Sequence, residues 1–204
     1  PNGGAFAAAP HYSADSSLEW REIVAERCMA TGNKSQLWCG MFRGQRVAIK
    51  VLEGVPSLEA ERAGDFVHEV DMLRRLKHPN VLGFVGACMR PGERFAILTE
   101  FMDGGSVQSL RATYPTLAAE PGGFPEHMLV CIALDVARGL KYLHDNSIVH
   151  RDIKSANLLC DAAGVVKVAD FGVAREVRAG EEMTAETGTY RWMAPEVIAH
   201  KPYD

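Results

Sequence analysis

The chain has 204 residues, of which 47% are hydrophobic and 24% charged, which suffices for one sizeable core or for two small lobes that share a cleft. A net charge of -4 and the lack of any run rich in Lys and Arg argue against a module that binds nucleic acid. The longest wholly apolar run of the central helical region, 128–134, is too short to cross a bilayer, so we expect no membrane span.

The cysteines are scattered without a CxxC pair, which favours free thiols in a reducing compartment over a zinc site or a disulfide framework. The chain opens on Pro1 rather than Met and has no secretory segment near its start, so its ends look like cuts. From these features we expect a cytoplasmic location. The five cysteines are Cys28, Cys39, Cys88, Cys131 and Cys160.

The first half of the chain has the patterns of strands and one helix. Residues 1–19 are small, polar or interrupted by Pro and Gly, and they predict a linker or disordered tail. Three β-prone runs then predict an antiparallel meander, and a stretch with apolar residues at helical spacing predicts an amphipathic helix before two more strands. The helical residues are Phe66, Val70, Leu73 and Leu76.

The second half is mainly helical. Residues 124–146 carry an apolar stripe, with Pro125 near the start of the predicted helix. Residues 157–170 predict a hairpin that turns at 162–164. Strands followed by helices indicate a β-rich lobe at 20–101, a helical lobe at 102–204, and a crevice between them. The stripe consists of Leu129, Ile132, Ala133, Val136, Leu140 and Leu143.

The strongest motif is VHRDIKSANLL at 149–159, which places Asp152, Lys154 and Asn157 on a short loop. It is followed by DFG at 170–172 and APE at 194–196, and preceded by VAIK at 47–50. Each motif alone is weak, but all of them in this order, on the expected elements, are very specific.

From about Trp20 to its last residue, the chain resembles a eukaryotic-type protein kinase domain. The segments KSAN and MTAETGTYRWMAPEVI are similar to the Raf-like, MAP-kinase-kinase-kinase branch of the tyrosine-kinase-like serine/threonine kinases. The resemblance implies an α+β, bilobal fold with a β-rich N-lobe containing one helix and a helical C-lobe. Family members continue with further helices, so we expect an incomplete C-lobe, low stability and weak activity for the chain alone.

The resemblance implies that Lys50 holds the α- and β-phosphates of ATP and that Glu69 fixes its direction. Asp170 and Asn157 would supply oxygen ligands for Mg²⁺. Asp152 would accept the proton of the incoming hydroxyl.

Lys154 would neutralise the transferring phosphate, and its place two residues after Asp152 is the serine/threonine kinase pattern. The implied substrates are proteins, downstream kinases among them. Thr189 would contact the side chains of Asp152 and Lys154.

For the adenine, the resemblance implies that Thr99 is the gatekeeper and that the segment from Glu100 to Met102 is the hinge. The other expected nucleotide contacts are Gly32, Leu37, Ala48 and Leu159.

The glycine-rich lid of the family falls on Ala30, Gly32, Ser35 and Leu37, so only the middle glycine is present. Glycine allows backbone N–H groups to approach a phosphate closely, so this lid is compromised. Two hypotheses stay open: an active kinase that is slow or binds ATP weakly, which we favour because the charged motif residues are intact, and a pseudokinase scaffold.

For regulation, Thr184 and Thr187 are the expected phosphosites, and Arg151 would pair with the added phosphate. We expect His150 to be a core residue stacked near Phe171 rather than a catalytic histidine. Trp38 and Trp192 are expected to pack rather than to form a substrate platform.

Overall fold

The computed structural model describes residues 18–32, 35–52, 60–89, 94–113, 124–177 and 188–203. A five-stranded antiparallel sheet comes first, with the spatial order β1-β2-β3-β5-β4, and helices dominate after it, as the sequence predicts. The strands of this sheet are β1 (Ile23–Thr31), β2 (Ser35–Phe42), β3 (Gln45–Leu52), β4 (Phe84–Cys88) and β5 (Ala96–Glu100).

Strand β3 is amphipathic, and this places one of its faces in the core. Val47, Ile49 and Val51 alternate along it and are buried, so the side chains between them point to the opposite face. The turn from β2 to β3 uses Arg43 and Gly44, both at positive φ (48° and 77°), which matches the twist of an antiparallel hairpin.

Leu18 belongs to this core, although the sequence analysis assigned it to the leading segment. Its side chain is 1% exposed and packs with Ile23 and Val85, and its N–H donates to the carbonyl oxygen of Ala87. A single apolar residue in a polar run has no period, so its burial could not be read from the pattern.

Helix α1 (Ala60–Arg75) confirms the predicted amphipathic helix. Phe66, Val70 and Leu73 are buried along one face, and Leu76 is buried directly after the last helical residue. Glu69 is buried as well, at 8% exposure, which a carboxylate tolerates only with a partner.

In the described part of the second half there are three further α-helices and five short strands. The helices are α2 (Val107–Thr113), α3 (Glu126–Asp145) and α4 (Pro195–Ile198). The strands are β6 (Gly105–Ser106), β7 (Ile148–Val149), β8 (Leu158–Cys160), β9 (Val166–Val168) and β10 (Arg175–Glu176).

The predicted hairpin is formed by β8 and β9, and its turn contains Gly164 at a φ of 84°. Two small sheets organise this half, with the orders β6-β8-β9 and β10-β7. Strand β7 leads into the HRD motif (residues 150–152) and β9 into the DFG motif, and a hydrogen bond between His150 and the carbonyl oxygen of Ala169 joins the two loops.

The apolar stripe of α3 is buried mainly in the C-terminal half of the helix. Leu143 is fully buried, whereas Leu129 is 48% exposed. The helix passes closest to its neighbours at Gly139, where a Cβ atom would lie 2.5 Å from the carbonyl oxygen of Asn80. Within the described ranges, no helix is long and apolar enough to cross a membrane.

Candidate active site

Lys50 and Glu69 form an ion pair between β3 and α1. The ammonium nitrogen Nζ lies 2.7 and 2.8 Å from the two carboxylate oxygens of Glu69, and 3.6 Å from Oδ1 of Asp170. Burial disfavours the charge on Lys50, but the two carboxylates outweigh it and raise the pKa of the ammonium. Burial also raises the pKa of Glu69 against the opposing effect of Lys50. The pair is therefore held together by mutual charge in a site that is poor in water.

Asp152 accepts hydrogen bonds at both carboxylate oxygens. Thr189 Oγ1 donates to Oδ1 at 2.6 Å, and Lys154 Nζ donates to Oδ2 at 2.6 Å. Asn157 Nδ2 donates to Oδ2 at 3.1 Å and to the backbone carbonyl of Asp152 at 2.9 Å. Burial would raise the pKa of Asp152, but these donors outweigh it and lower that pKa. Asp152 is therefore a carboxylate at neutral pH.

The predicted contact of Thr189 with both charged groups is confirmed. Its hydroxyl also accepts a hydrogen bond from Lys154 Nζ at 2.9 Å, which closes a ring of three side chains with Asp152. Thr189 stands far along the chain from the other two, immediately before the short 3-10 turn Tyr190–Trp192.

His150 holds the loop of Asp152 in place by packing and by hydrogen bonds. It is 1% exposed, and its ring meets Phe171 edge-on at 5.1 Å, which confirms the predicted packing role. Its Nδ1 accepts the N–H of Asp152 at 3.3 Å, so Nε2 carries the hydrogen and donates to the carbonyl of Ala169 at 3.0 Å. Burial lowers the pKa of His150, in keeping with a neutral ring.

The two groups of side chains are joined through Ala169. Its N–H donates to the backbone carbonyl of Asn157 at 2.9 Å, while its own carbonyl receives His150. Asp170 is the next residue in the chain. The carboxylate near Lys50 therefore belongs to a segment whose backbone is hydrogen-bonded to the loop of Asp152.

Two residues at this junction have an uncommon backbone conformation. Arg151 has a φ of 64° and Asp170 a φ of 67°, a region that side chains other than glycine seldom occupy. Such strain is found mainly where the surroundings impose it, often at functional sites. Arg151 Nε donates to the carbonyl oxygen of Val173 at 2.7 Å. The proposed phosphosites Thr184 and Thr187 lie outside the described residues.

Most of the residues expected to contact adenine lie on β2, β3, β5 and β8, whereas Met102 follows the end of β5. Ala48 pairs with Thr99 across β3 and β5, and Leu37 pairs with Lys50 across β2 and β3. Met102 is buried, and Leu159 packs on the cluster that contains it.

At the expected lid, Gly32 donates its N–H to the carbonyl of Ser35 at 2.8 Å. This hydrogen bond links the residue after β1 to the first residue of β2.

The side chain of Glu100 has partners that the sequence analysis did not foresee. Lys167 Nζ lies 2.8 Å from both of its carboxylate oxygens, and the N–H of Gly83 donates to Oε1 at 2.6 Å. A signal for Lys167 existed, since it alternates with the buried Val166 and Val168 on β9 and so faces away from their core. The ion pair ties the end of β5 to the strand before Asp170.

A cavity of about 190 Å³ lies beside Asp152. Its lining includes Thr189, Met193 and Trp192, whose side chain is 48% exposed. Trp192, which was expected to pack rather than to form a substrate platform, is therefore not a core residue in the described structure, because the 3-10 turn that carries it lies at the surface. Trp38 is partly buried against the sheet core, as expected.

The comparison with known families assigns the chain. The protein kinase domain family matches residues 29–204. The chain belongs to this family. The α+β kinase fold predicted from the motifs is thereby confirmed.

Individual kinases are similar over most of this kinase domain. It is 47% identical over 194 residues to serine/threonine-protein kinase STY17 of Arabidopsis thaliana, covering 93% of this chain and 33% of the relative. Serine/threonine-protein kinase STY46 of the same plant is 49% identical over 86% of the chain and 29% of its own length. Serine/threonine-protein kinase CTR1, also from Arabidopsis thaliana, is 35% identical over 92% of the chain and 22% of its own length.

These similarities confirm the resemblance to the Raf-like serine/threonine kinases. The chain spans about a third of the length of the first two relatives.

Proposed function

We propose that this kinase domain transfers the γ-phosphate of ATP to serine or threonine hydroxyls of protein substrates. The observation that carries the proposal is the joining of two charged groups through Ala169: Lys50 with Glu69 and Asp170, and Asp152 with its three donors. Phosphoryl transfer asks for positioning and for cancellation of charge on the phosphate oxygens, and this arrangement offers both.

Lys50 is the cation that binds the α- and β-phosphates. Its bidentate contact with Glu69 fixes the direction of a flexible side chain, so less freedom is lost when the nucleotide binds. The carboxylates of Glu69 and Asp170 raise the pKa of the ammonium against the effect of its partial burial, so Lys50 stays charged.

Asp152 accepts the proton of the substrate hydroxyl. Its lowered pKa keeps it ionised, and the incoming hydroxyl takes a place beside the donors that already surround it. Lys154 lies 2.6 Å from the same carboxylate and is placed to neutralise the phosphoryl group as it moves. Thr189 is hydrogen-bonded to Asp152 and to Lys154, and so it fixes the position of one side chain relative to the other.

Asp170 and Asn157 suit a magnesium ion. The hydrogen bonds of Asn157 to Asp152 use its Nδ2, which leaves its carbonyl oxygen as the ligand atom, and the carboxylate of Asp170 is 49% exposed. One or two protein oxygens are usual for Mg²⁺, which takes its other ligands from phosphate and water. When bound, the ion would neutralise charge on the phosphates. Among the described residues, no group of three or more His, Cys, Asp or Glu side chains is placed to hold a metal ion.

The side chains of Ala48, Leu37 and Leu159 would hold the adenine by apolar contact. Thr99 and the segment from Glu100 to Met102 border it, and Gly32 belongs to the lid above the phosphates. The side chain of Glu100 is bound to Lys167, so backbone groups of this segment are the ones that meet the base.

Phosphorylation of Thr184 or Thr187 activates the domain, and the guanidinium of Arg151 receives the phosphate. We place the protein in the cytoplasm because its five cysteines, all within the described residues, form no disulfide bond.

The test is phosphate transfer from radiolabelled ATP to a generic basic protein, with and without Mg²⁺, followed by analysis of the labelled amino acids. We expect labelled serine or threonine only with Mg²⁺. In Asp152→Asn the rate of transfer should fall by roughly a hundredfold or more. Asp145→Asn, at an exposed position at the end of α3, is the matched control and should keep the activity. Nucleotide binding without transfer would overturn the proposal in favour of a scaffold.

A further inference from the structure

Helix α1 is bound at two places to the segment that follows the DFG motif. His68 Nε2 lies 3.0 Å from the carbonyl oxygen of Ala174. Near the end of the helix, Arg75 Nη1 lies 2.6 Å from Oε1 of Glu176 on β10. Neither contact includes a residue to which the proposed function gives a role.

The spacing of these contacts aligns the two segments lengthwise. His68 and Arg75 are about two helical turns apart, so they lie on the same side of α1. Ala174 and Glu176 are only two residues apart, the first contributing its backbone carbonyl and the second its side chain, so both contacts are made by the same short segment at the start of β10. Rotating the helix or sliding it along its axis would break both contacts at once.

The segment on the other side of these contacts is anchored to the loop of Asp152. Strand β10 pairs with β7 through Arg175 with Val149 and Glu176 with Ile148, and β7 runs directly into the HRD motif. The N–H of Val177 also donates to the carbonyl oxygen of Ser147 at 2.8 Å. On the helix side, His68 is the direct neighbour of Glu69, the partner of Lys50.

We propose that His68, Arg75 and Glu176 are positioning residues that set the distance between Lys50 and Asp152. They hold α1 against β10, so the ammonium and the carboxylate meet the same phosphoryl group. This inference rests on the proposed function, which it extends to residues outside the reacting groups.

The exposure of the Arg75–Glu176 ion pair indicates which measured quantity its loss should change. The side chains of Arg75 and Glu176 are 56% and 50% exposed, so the pair adds little to the stability of the whole domain. A change in relative position affects the turnover number more than the unfolding temperature, because reacting atoms tolerate little displacement. The expected signature is therefore a lower kcat with an unchanged Tm.

The first test is a charge swap. Arg75→Glu and Glu176→Arg should each lower kcat by about fivefold, with less than about a twofold change in KM for ATP, and the double variant should return kcat to within about twofold of the starting protein. Lys77→Glu makes the same change of charge just beyond the helix and should leave kcat unaltered. Single variants with unchanged kcat, or a double variant no better than the singles, would overturn the proposal.

The second test concerns His68. Gln can place an N–H donor where His68 Nε2 lies, whereas the shorter Asn cannot reach it and Ala has no donor. We expect His68→Ala and His68→Asn to lower kcat by about threefold and His68→Gln to restore it. Equal kcat in His68→Gln and His68→Ala would contradict a role for this hydrogen bond.

Hydrogen–deuterium exchange separates this inference from the proposed function. The backbone amides of residues 174–177 should exchange faster in Arg75→Glu and in Glu176→Arg, and slower again in the double variant. If the protein transfers no phosphate but this pattern holds, the proposed function fails and the contact between α1 and β10 stands. Identical exchange rates in all variants would show that the contact between α1 and β10 does not hold the two elements in place, whether or not phosphate is transferred.

Discussion

Lys50 and Glu69, separated by 19 positions in the chain, meet with Nζ 2.7 and 2.8 Å from the two carboxylate oxygens. Each side chain is costly to bury alone, and each is the partner that makes the burial of the other tolerable. The contact sets the position of α1 relative to the sheet and turns the lysine toward Asp170.

Replacing Glu69 with Gln should weaken catalysis without unfolding the domain. Gln keeps the size of the side chain and one oxygen acceptor but loses the charge that directs Lys50, so we expect kcat/KM for ATP to fall about tenfold. Steady-state kinetics measures this, and Glu126→Gln, on the exposed first turn of α3, serves as the control. An unchanged kcat/KM in a folded Glu69→Gln protein would show that the ion pair is not needed.

Thr189→Val should lower kcat by about tenfold and leave KM for ATP nearly unchanged. The substitution keeps the shape of the side chain but removes the donor to Asp152 Oδ1 and the acceptor for Lys154, so the ring of three side chains opens. Thr189→Ser retains the hydroxyl and should keep most of the activity. Equal losses in the two variants would point to packing of the methyl group instead.

The lid offers a third prediction. Position 35 carries Ser where the lid pattern of the family has glycine, and its carbonyl oxygen accepts the N–H of Gly32. A Cβ atom at this position restricts the backbone more than glycine would and limits how closely it can approach a phosphate. Ser35→Gly should lower KM for ATP about threefold, whereas Ser35→Ala, which removes only the hydroxyl, should not. The same KM for ATP in the unchanged protein and in both variants would show that the missing glycine does not limit ATP affinity.

The buried His150 predicts a loss of stability in acid. Burial holds its pKa in the folded protein below the ordinary value of 6.5, so the unfolded chain takes up a proton first as the pH falls. The stabilisation is complete above about pH 6.5 and declines below it, by at most about 1.4 kcal/mol per pH unit for this histidine. His78, whose pKa is also lowered by burial, adds to the decline.

Urea unfolding between pH 7 and pH 5 measures this slope. The free energy of unfolding should fall less steeply with decreasing pH in His150→Asn than in the unchanged protein. His78→Asn should flatten the slope as well, since it removes the second contributor. A slope identical to that of the unchanged protein in His150→Asn would mean that His150 is protonated to the same extent in both states.

Much of the fold was accessible from the sequence because it rests on local patterns. The β-prone run at 45–53 predicted β3, and the helical spacing of Phe66, Val70 and Leu73 predicted α1. The contact of Thr189 with Asp152, and the packing of His150 on Phe171, followed from the family resemblance rather than from any pattern in the chain.

Contacts between distant residues were not accessible. Glu100 and Lys167 are 67 positions apart, and His68 and Ala174 are 106 apart, so no local period connects them. The surface position of Trp192 was missed because a single 3-10 turn is too short to have an amphipathic pattern.

The backbone strain at the site was not predicted either. Neither Arg151 nor Asp170 is a residue type that signals a left-handed conformation as strongly as glycine does. Their φ angles are imposed by the surrounding hydrogen bonds, which only the folded chain contains.

The most direct measurement of the central claim is the rate of phosphate transfer from Mg·ATP in Lys50→Met, compared with Lys141→Met on the exposed surface of α3. If Lys50 and Asp152 act on one phosphoryl group, the rate should fall by about a hundredfold or more in Lys50→Met and stay unchanged in Lys141→Met. Transfer at an undiminished rate by a folded Lys50→Met protein would contradict the account.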